Sequence, residues 1–378
     1  MLPMHPQPKQ DEILSSWLVR LAFANGFPLH TFYSSLLSYK APIWSRDIDR
    51  HPSMELLKVL ESHTHKSIIA LQALTFSSYE GVLFEQLPMN GDAPWLLPAG
   101  VFHRTRLRAG MQFCPLCIQN DPVPYYRRCW RLALYSICGH HNCLMHQSCP
   151  FCHSPVIFHR HGIGRSKETP DDALRLCHHC GFYLGGADQI CFEWPDVESR
   201  NLLCMILNML GAGGEWRGAA PYGIIFFQGL RILVGVISGR NGLRLREVLS
   251  KTLNVRIEPV PHKDFEYQEA TVRLKLLLAA MWMLKDWPDR FLRVCSSAHF
   301  TRSRLTDYFP TMPFWLASVV DEHLDTRPYL PSAGEVVEAG NYLMAHNRNV
   351  TCTSLGELLN LRRDVSSSAL KTWKLQLD

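Results

Sequence analysis

The metal-binding side chains of this chain are concentrated in its middle. Ten of the thirteen cysteines lie between Cys114 and Cys191, together with several histidines. Secreted disulfide frameworks usually distribute cysteines over a short chain, whereas a dense cluster of cysteine and histidine in a long chain is typical of metal binding in a reducing compartment. The sequence therefore predicts bound metal in this region rather than a disulfide framework.

These residues form two sets, each with the spacing of a structural zinc site. The first is a Cys-Pro-Leu-Cys motif followed by Cys-Gly-His-His, and the second is Cys-Pro-Phe-Cys followed by Cys-His-His-Cys. Two such pairs, separated by roughly 15 to 20 residues or a little more, can close a tetrahedron around Zn²⁺. Because a closed tetrahedron has no open position, we expect two structural Zn²⁺ ions. The predicted ligands are Cys114, Cys117, Cys138, His141, Cys149, Cys152, Cys177 and Cys180.

The fourth ligand of the first set is open to alternatives. His141 reproduces the two-residue gap of the other pairs and is favoured, but His140 and His146 are close enough in sequence to replace it. In this assignment Cys129 and Cys143 are ordinary thiols. Tight turns are predicted at two glycines, Gly139 and Gly181.

An arginine-rich window is the second chemically distinctive feature. Residues 101–135 contain six arginines, no lysine and one acid, with aromatic residues interleaved. This mixture suits contact with phosphates, and a solvated basic face is the alternative explanation. Four further bases stand near the C-terminus. The predicted nucleic-acid contacts are Arg104, Arg106, Arg108, Arg127, Arg128, Arg131, Arg362, Arg363, Lys371 and Lys374.

The whole sequence predicts a folded, non-enzymatic protein. Apolar residues make up 47 % and charged residues 19 % of its 378 residues, which disfavours long disorder. Sequence motifs for phosphate-binding loops, dinucleotide binding, zinc proteases and serine hydrolases are absent, so we predict no catalytic residues. The N-terminal segment has no apolar signal sequence. Two apolar stretches, residues 222–237 and 274–284, are too short or too interrupted to span a membrane, so we expect buried helices in a cytoplasmic protein.

Helical periodicity near the N-terminus predicts two short helices joined by a turn. Apolar residues at helical spacing predict a helix capped by Asp11, a stop at Asn25-Gly26 and a second helix after Pro28. Together these helices form a helix-turn-helix-like corner. An ordinary helical hairpin explains the pattern as well.

The C-terminal region carries a second candidate of the same kind. A capping box from Ser354 to Glu357 predicts one helix start, and the Ser366–Ser368 run predicts the next, with Lys371 on it. A simple amphipathic hairpin is again the alternative. The predicted fold is therefore mostly α, with a helix-turn-helix-like domain, tandem zinc fingers, a helical core and a C-terminal helix-turn-helix-like domain. The predicted boundaries are 1–100, 101–195, 196–310 and 311–378.

Four strings of residues, in this order, resemble one known family. The first is Pro-x-x-Asp-Glu-x-Leu-x-Ser-Trp-Leu-x-Arg-Leu-Ala-x-x-Asn-Gly-Phe at residues 8–27, the second is Cys-Pro-x-Cys at residues 114–117, the third is Tyr-Arg-Arg-Cys-Trp-Arg-Leu at residues 126–132, and the fourth is the remaining series of zinc-ligand motifs. Together they resemble the TniQ/TnsD family of bacterial transposon target-selection proteins over about residues 8–185. The resemblance implies an adaptor, without catalysis of its own, that links a target-site recogniser to the AAA+ ATPase of a transposition machinery.

The resemblance leaves two ways of finding a target open. TnsD-like proteins read an attachment site in DNA, whereas TniQ proteins of CRISPR-associated transposons dock on an RNA-guided Cascade complex, in some systems as homodimers. A length of 378 residues favours the second way, and the basic residues favour the first. The implied partners are the AAA+ ATPase and either a Cascade-type complex or target DNA, with no membrane partner.

Overall fold

The structure, a computed structural model, describes residues 2–44, 47–99, 109–161, 172–212, 223–260, 264–306, 311–325 and 328–375. Within these ranges it contains fifteen α-helices, short 3-10 helical turns and isolated β-bridges, and no strand. The predicted mostly α class is confirmed.

Four helices form the N-terminal part of the chain. They are α1 (Leu14–Ala24), α2 (Leu29–Ser35), α3 (Met54–Thr64) and α4 (Ile68–Gln72). The predicted corner is present, because α1 ends at Asn25, Gly26 turns the chain with a φ of +74°, and α2 follows Pro28. The predicted N-cap is wrong. Ile13 occupies the cap position, and the Asp11 carboxylate accepts hydrogen bonds from the arginine-rich window instead.

Six described helices follow the metal-binding region, and two of them are long, apolar and largely buried. After α5 (Pro115–Asn120) come α6 (Val197–Ala212), α7 (Gly223–Ser238), α8 (Leu243–Leu253), α9 (Ala270–Leu284), α10 (Asp289–Ser297) and α11 (Arg302–Thr306). The two apolar stretches form α7 and α9, and both are largely buried, as predicted. A Cβ on Gly229 of α7 would lie 2.0 Å from the Trp315 ring, so only glycine permits this contact.

The described helices were also compared with the length and composition of a membrane span. Taken singly, each is too short or too polar to cross a bilayer. The segments Gly223–Ser238 and Arg240–Leu253 meet both criteria only as a pair, and that pair is bent by 76°.

Four more helices complete the chain: α12 (Phe314–His323), α13 (Ala333–Ala345), α14 (Cys352–Leu358) and α15 (Arg363–Lys374). Trp373 of α15 packs on Gly340 of α13, where a Cβ would lie 2.3 Å from its ring. The predicted capping box is misplaced, because Thr351 and Ser354 form one that starts α14 three residues earlier. Likewise α15 begins before the predicted serine run, at Arg363.

By proximity of Cα atoms, the chain divides into two compact units. Unit 1 comprises Met1–Phe300 and Arg304–Val319, and unit 2 comprises Thr301–Ser303 and Val320–Asp378. Unit 1 contains the N-terminal helices, the metal-binding region and the apolar helices. Unit 2 has its own hydrophobic core, built from α13, α14 and α15 around Val336, Leu343, Leu355 and Trp373.

Candidate metal centres and arginine network

Three of the four ligand motifs fold as the same turn. In each, the N–H of the first cysteine donates to the carbonyl five residues later, at 2.8 to 2.9 Å. The N–H of the residue four positions later donates back to the carbonyl of the first cysteine, also at 2.8 to 2.9 Å. The three turns begin at Cys138, Cys149 and Cys177. Because both bonds close within six residues, the turn itself places its two ligands side by side.

Each of these turns contains one residue in the left-handed region. The φ angle is +52° at Asn142, +56° at His153 and +77° at Gly181. The turn predicted at Gly181 is confirmed. The turn predicted at Gly139 also forms, but Asn142 rather than Gly139 adopts the left-handed conformation, which asparagine tolerates better than most residues.

The remaining motif is the start of a helix. Cys114 is the N-cap of α5, and its sulfur accepts a hydrogen bond from the N–H of Cys117 at 3.4 Å. Pro115 occupies the first helical position, where its missing N–H has no helical partner to lose and its fixed φ is already suitable. The helix start therefore brings both sulfurs to one end of α5.

The first cluster has the dimensions of a tetrahedral metal site. The Nδ1 atom of His141 lies 3.4 Å from the sulfur of Cys114, 3.3 Å from that of Cys117 and 3.6 Å from that of Cys138. The sulfurs of Cys117 and Cys138 are 3.7 Å apart. Tetrahedral Zn²⁺ with bonds of about 2.3 Å to sulfur holds two sulfurs about 3.7 Å apart, and a sulfur and a nitrogen slightly closer. The donor set and its spacing fit such an ion.

Of the three candidate histidines, His141 is the one that reaches the sulfurs. His140 is exposed. His146 uses its Nε2 atom in a 2.8 Å hydrogen bond with the carbonyl of Asp188, and its ring stacks on Phe113. The geometry thus selects His141 among the alternatives that spacing left open.

The second cluster consists of four cysteines whose sulfurs all lie within 4.8 Å of one another. Cys149 and Cys180 are 3.7 Å apart, and Cys152 and Cys177 are 3.6 Å apart. Burial raises the pKa of Cys177 to about 12. Burial acts in the same direction on Cys152, but donation by Ser154 lowers the pKa of that thiol to about 6. Thiolates at these distances repel one another, so this donor set is suited to a bound cation.

Arg175 connects the two metal-binding modules. Its guanidinium donates to backbone carbonyls at the C-terminal end of α5, at 3.0 Å to Gln119 and 2.7 Å to Asp121, and also to Ile118. A cation there satisfies carbonyls that have no partner within the helix and complements the helix dipole. Arg175, which lies two residues before Cys177 of the second cluster, therefore caps α5, the helix that carries two donors of the first cluster.

The three arginines of the window that the structure describes bind groups of this chain, and Arg131 shows this most clearly. Its side chain is 5 % exposed and makes a two-pronged contact with Asp47, at 2.8 and 2.7 Å. Asp49 lies 3.5 Å from the same guanidinium and accepts two further bonds from Ser15, each of 2.8 Å. Burial, and then the neighbouring charge of Asp47, raise the pKa of Asp49 to about 7. One buried cation thus holds two carboxylates of the N-terminal part.

The next two arginines are paired in the same way. Arg127 is buried and contacts Asp121 at 2.9 Å. Arg128 contacts Asp11 at 3.0 Å, and the other oxygen of Asp11 accepts from the backbone N–H of Cys129 at 3.2 Å. The guanidinium groups of these arginines bind carboxylates of this chain, so contact with phosphate at these positions stays a prediction that requires the ion pairs to open.

The interleaved aromatic residues also serve the interior. The guanidinium of Arg127 lies 4.4 Å from the ring centre of Tyr125 and 4.9 Å from that of Trp130. The guanidinium of Arg131 lies 5.1 Å from the ring centre of Phe76. Aromatic faces attract guanidinium groups, and this attraction is larger away from water. The alternation that suggested a nucleic-acid surface is thus a set of internal cation–π contacts.

The other predicted nucleic-acid contacts have different positions. Arg104, Arg106 and Arg108 lie outside the described residues. The four C-terminal bases, Arg362, Arg363, Lys371 and Lys374, are exposed, and the last three belong to α15. These four are compatible with contact to an external anion.

The opening string of the sequence is the internal partner of the arginine-rich window. Asp11 binds Arg128, and the N–H of Ile13 donates to the carbonyl of Tyr126 at 3.0 Å. The Ser16 hydroxyl accepts from the N–H of Tyr126 at 2.9 Å. The sequence did not predict this contact, because neither segment contains a local signal that identifies the other as its partner.

Comparison with known proteins agrees with these features. The family model described as TniQ matches residues 3–145, which include the opening string, the arginine-rich window and the first metal cluster. No curated protein matches the chain.

Proposed function

From the match of residues 3–145 to the TniQ family model, we propose that this chain is a TniQ-type, non-enzymatic adaptor in transposon target selection. In this proposal it links a target-site recogniser, such as an RNA-guided Cascade-type complex, to the AAA+ ATPase and transposase. It does so as a DNA-associated protein of the bacterial cytoplasm, as a monomer or homodimer.

The pairing of the described arginines of the window with groups of this chain carries this proposal. An attachment-site reader needs exposed bases that can neutralise phosphates. In the window, Arg128 and Arg131 instead bind carboxylates of the N-terminal segment, and Arg127 binds Asp121 of the window itself. The described part of the matched region is thus stabilised for presenting a rigid surface, which suits contact with other proteins.

We propose that the metal in both clusters is Zn²⁺. Soft thiolates with imidazole in a tetrahedron select this ion, and the four donors of each cluster leave no position for a substrate. When bound, the ion supplies folding free energy, roughly 10 kcal/mol or more in small fingers. Within the chain, the turns that begin at Cys138, Cys149 and Cys177 position their sulfurs. Arg175 links the second cluster to α5, which carries two ligands of the first.

Reconstitution with purified proteins tests the adaptor role. We expect the full chain to elute with the AAA+ ATPase of the same transposon in gel filtration, and a Cys177→Ser variant to lose that complex because the second module unfolds. A Cys204→Ser variant is the matched control, since Cys204 is exposed and outside both clusters. A folded chain that binds neither the ATPase nor a Cascade-type complex would contradict the proposal.

Direct reading of DNA is a second candidate function, and unit 2 favours it. There α14 and α15 are joined by a turn in which Asn360 has a φ of +50° and the N–H of Leu361 donates to the carbonyl of Gly356 at 2.9 Å. A Cβ on Gly356 would lie 3.4 Å from that of Ser366, so the two helices cross closely. Short turns and close crossings of this kind are typical of a helix-turn-helix.

The charges of unit 2 support the same candidate. Residues 348–375 contain five bases and two acids, whereas residues 320–338 contain five acids and one base. Arg363, Lys371 and Lys374 are exposed on α15, the second helix of the motif. Such a helix enters the major groove in many DNA-binding proteins, with its bases available to phosphates.

Salt dependence of DNA binding separates the two candidates. If unit 2 binds duplex DNA, changing both Lys371 and Lys374 to Ala should lower the slope of log K against log salt by about 2, since each neutralised phosphate contributes about one. The control changes Lys58 and Lys251, two exposed lysines of unit 1, to Ala. An unchanged slope in the first variant would exclude this surface and leave the adaptor proposal alone.

A further inference from the structure

A fifth possible donor lies beside the first metal cluster. Cys143 is 1 % exposed, and its sulfur lies 3.4 Å from the sulfur of Cys114. It does not belong to the set of four donors that all lie within 4.8 Å of one another. Cys143 is therefore a buried thiol in contact with one ligand of the cluster.

The backbone holds Cys143 beside this cluster. Its carbonyl accepts the 2.8 Å hydrogen bond from the N–H of Cys138 that closes the turn beginning at Cys138. On its other side, Cys143 forms a β-bridge with Cys191. The equivalent positions in the turns of the second cluster are Ser154 and Phe182, which do not ligate zinc. The extra donor thus stands in the one cluster that uses a histidine.

We propose that Cys143 is a reserve ligand, which takes the fourth position of the first cluster when the His141 imidazole leaves it. The proposal rests on the proposed presence of Zn²⁺. As the nitrogen of His141 withdraws, the Cys143 thiol releases its proton to solvent and its sulfur takes the vacated position. No electron is transferred, and the ligand set changes from three sulfurs and one nitrogen to four sulfurs, the set that the second cluster already has.

The metal content of four proteins tests this assignment. We expect two zinc ions per chain in the wild type, in His141→Ala and in Cys143→Ala, and one in the double variant. His141→Ala combined with Cys191→Ala is the matched control and should keep two, because Cys191 pairs with Cys143 only through the backbone. If His141→Ala alone held one ion, Cys143 would not be a reserve ligand. A wild type with fewer than two ions would contradict the proposed zinc sites themselves.

Cobalt identifies the ligand directly. Replacing Zn²⁺ by Co²⁺ gives a sulfur-to-metal charge-transfer absorption that grows with each bound thiolate, so His141→Ala should absorb more strongly than the wild type. An unchanged or weaker absorption with both ions present would mean that water fills the position, which overturns the proposal.

A kinetic measurement avoids the histidine variants, which lack one ligand of the first cluster. A chelator should remove the ion of the first cluster roughly tenfold faster from Cys143→Ala than from Cys191→Ala, because no thiol can re-occupy a position that opens transiently. Equal rates would count against the reserve role.

Discussion

Two basic segments of this protein differ in how their cations are used. In the arginine-rich window, Arg127, Arg128 and Arg131 point into unit 1 and bind carboxylates. In α15 of unit 2, Lys371 and Lys374 are exposed. The difference teaches that a run of bases becomes structural where acids from other parts of the chain reach it, and remains available to partners where none does.

The largest expected effect concerns Arg131 and its carboxylate partners. Changing Arg131 to Ala should lower the free energy of unfolding by about 3 to 5 kcal/mol, because it leaves the buried carboxylates of Asp47 and Asp49 without their cation. Denaturant unfolding measures this. A loss below about 1 kcal/mol would mean that the window is not the structural segment described above.

The pH dependence of stability gives a second, smaller test. Because the pKa of Asp49 is raised to about 7, against about 4 for an unfolded chain, the folded protein binds a proton more tightly. Its contribution to stability is complete below pH 4 or so and is lost as the pH rises to 7, with a slope of at most about 1.4 kcal/mol per pH unit. Asp49→Asn should remove this slope from unfolding curves measured across that range. A slope identical to that of the wild type would show that Asp49 is ionised throughout.

The smallest expected effect is in unit 2. Changing Lys371 and Lys374 to Ala should alter the free energy of unfolding by no more than about 0.5 kcal/mol, because both side chains are exposed. The same denaturant curves measure it. A loss as large as that of Arg131→Ala would make α15 as structural as the window and abolish the contrast.

The helical class and several elements followed from the sequence. The α1–α2 corner was predictable because Asn25-Gly26 and Pro28 are local signals that end one helix and start the next. Helix starts without such a signal were misplaced, as at α14, where Thr351 rather than Ser354 is the N-cap. Both residues have the right side chain, and only packing decides which hydroxyl faces the free N–H groups.

The metal clusters were also predictable from the sequence only in part. Spacing identified eight donors that converge in two clusters, and it left His140, His141 and His146 as alternatives. It also treated Cys143 as an ordinary thiol, although the fold places it against Cys114. The turn that begins at Cys138 explains this position, since it brings the residue five positions later back toward the cluster.

By itself, the sequence determined where donors can meet within each motif, because two ligands three residues apart are brought together by a turn closed with its own backbone hydrogen bonds. Only the tertiary structure decided the orientation of the arginines. Two of the three bind carboxylates from far along the chain, 117 residues away for Arg128 and Asp11 and 84 for Arg131 and Asp47. A guanidinium pairs equally well with a phosphate or a carboxylate, so its role depends on which anion the fold places beside it.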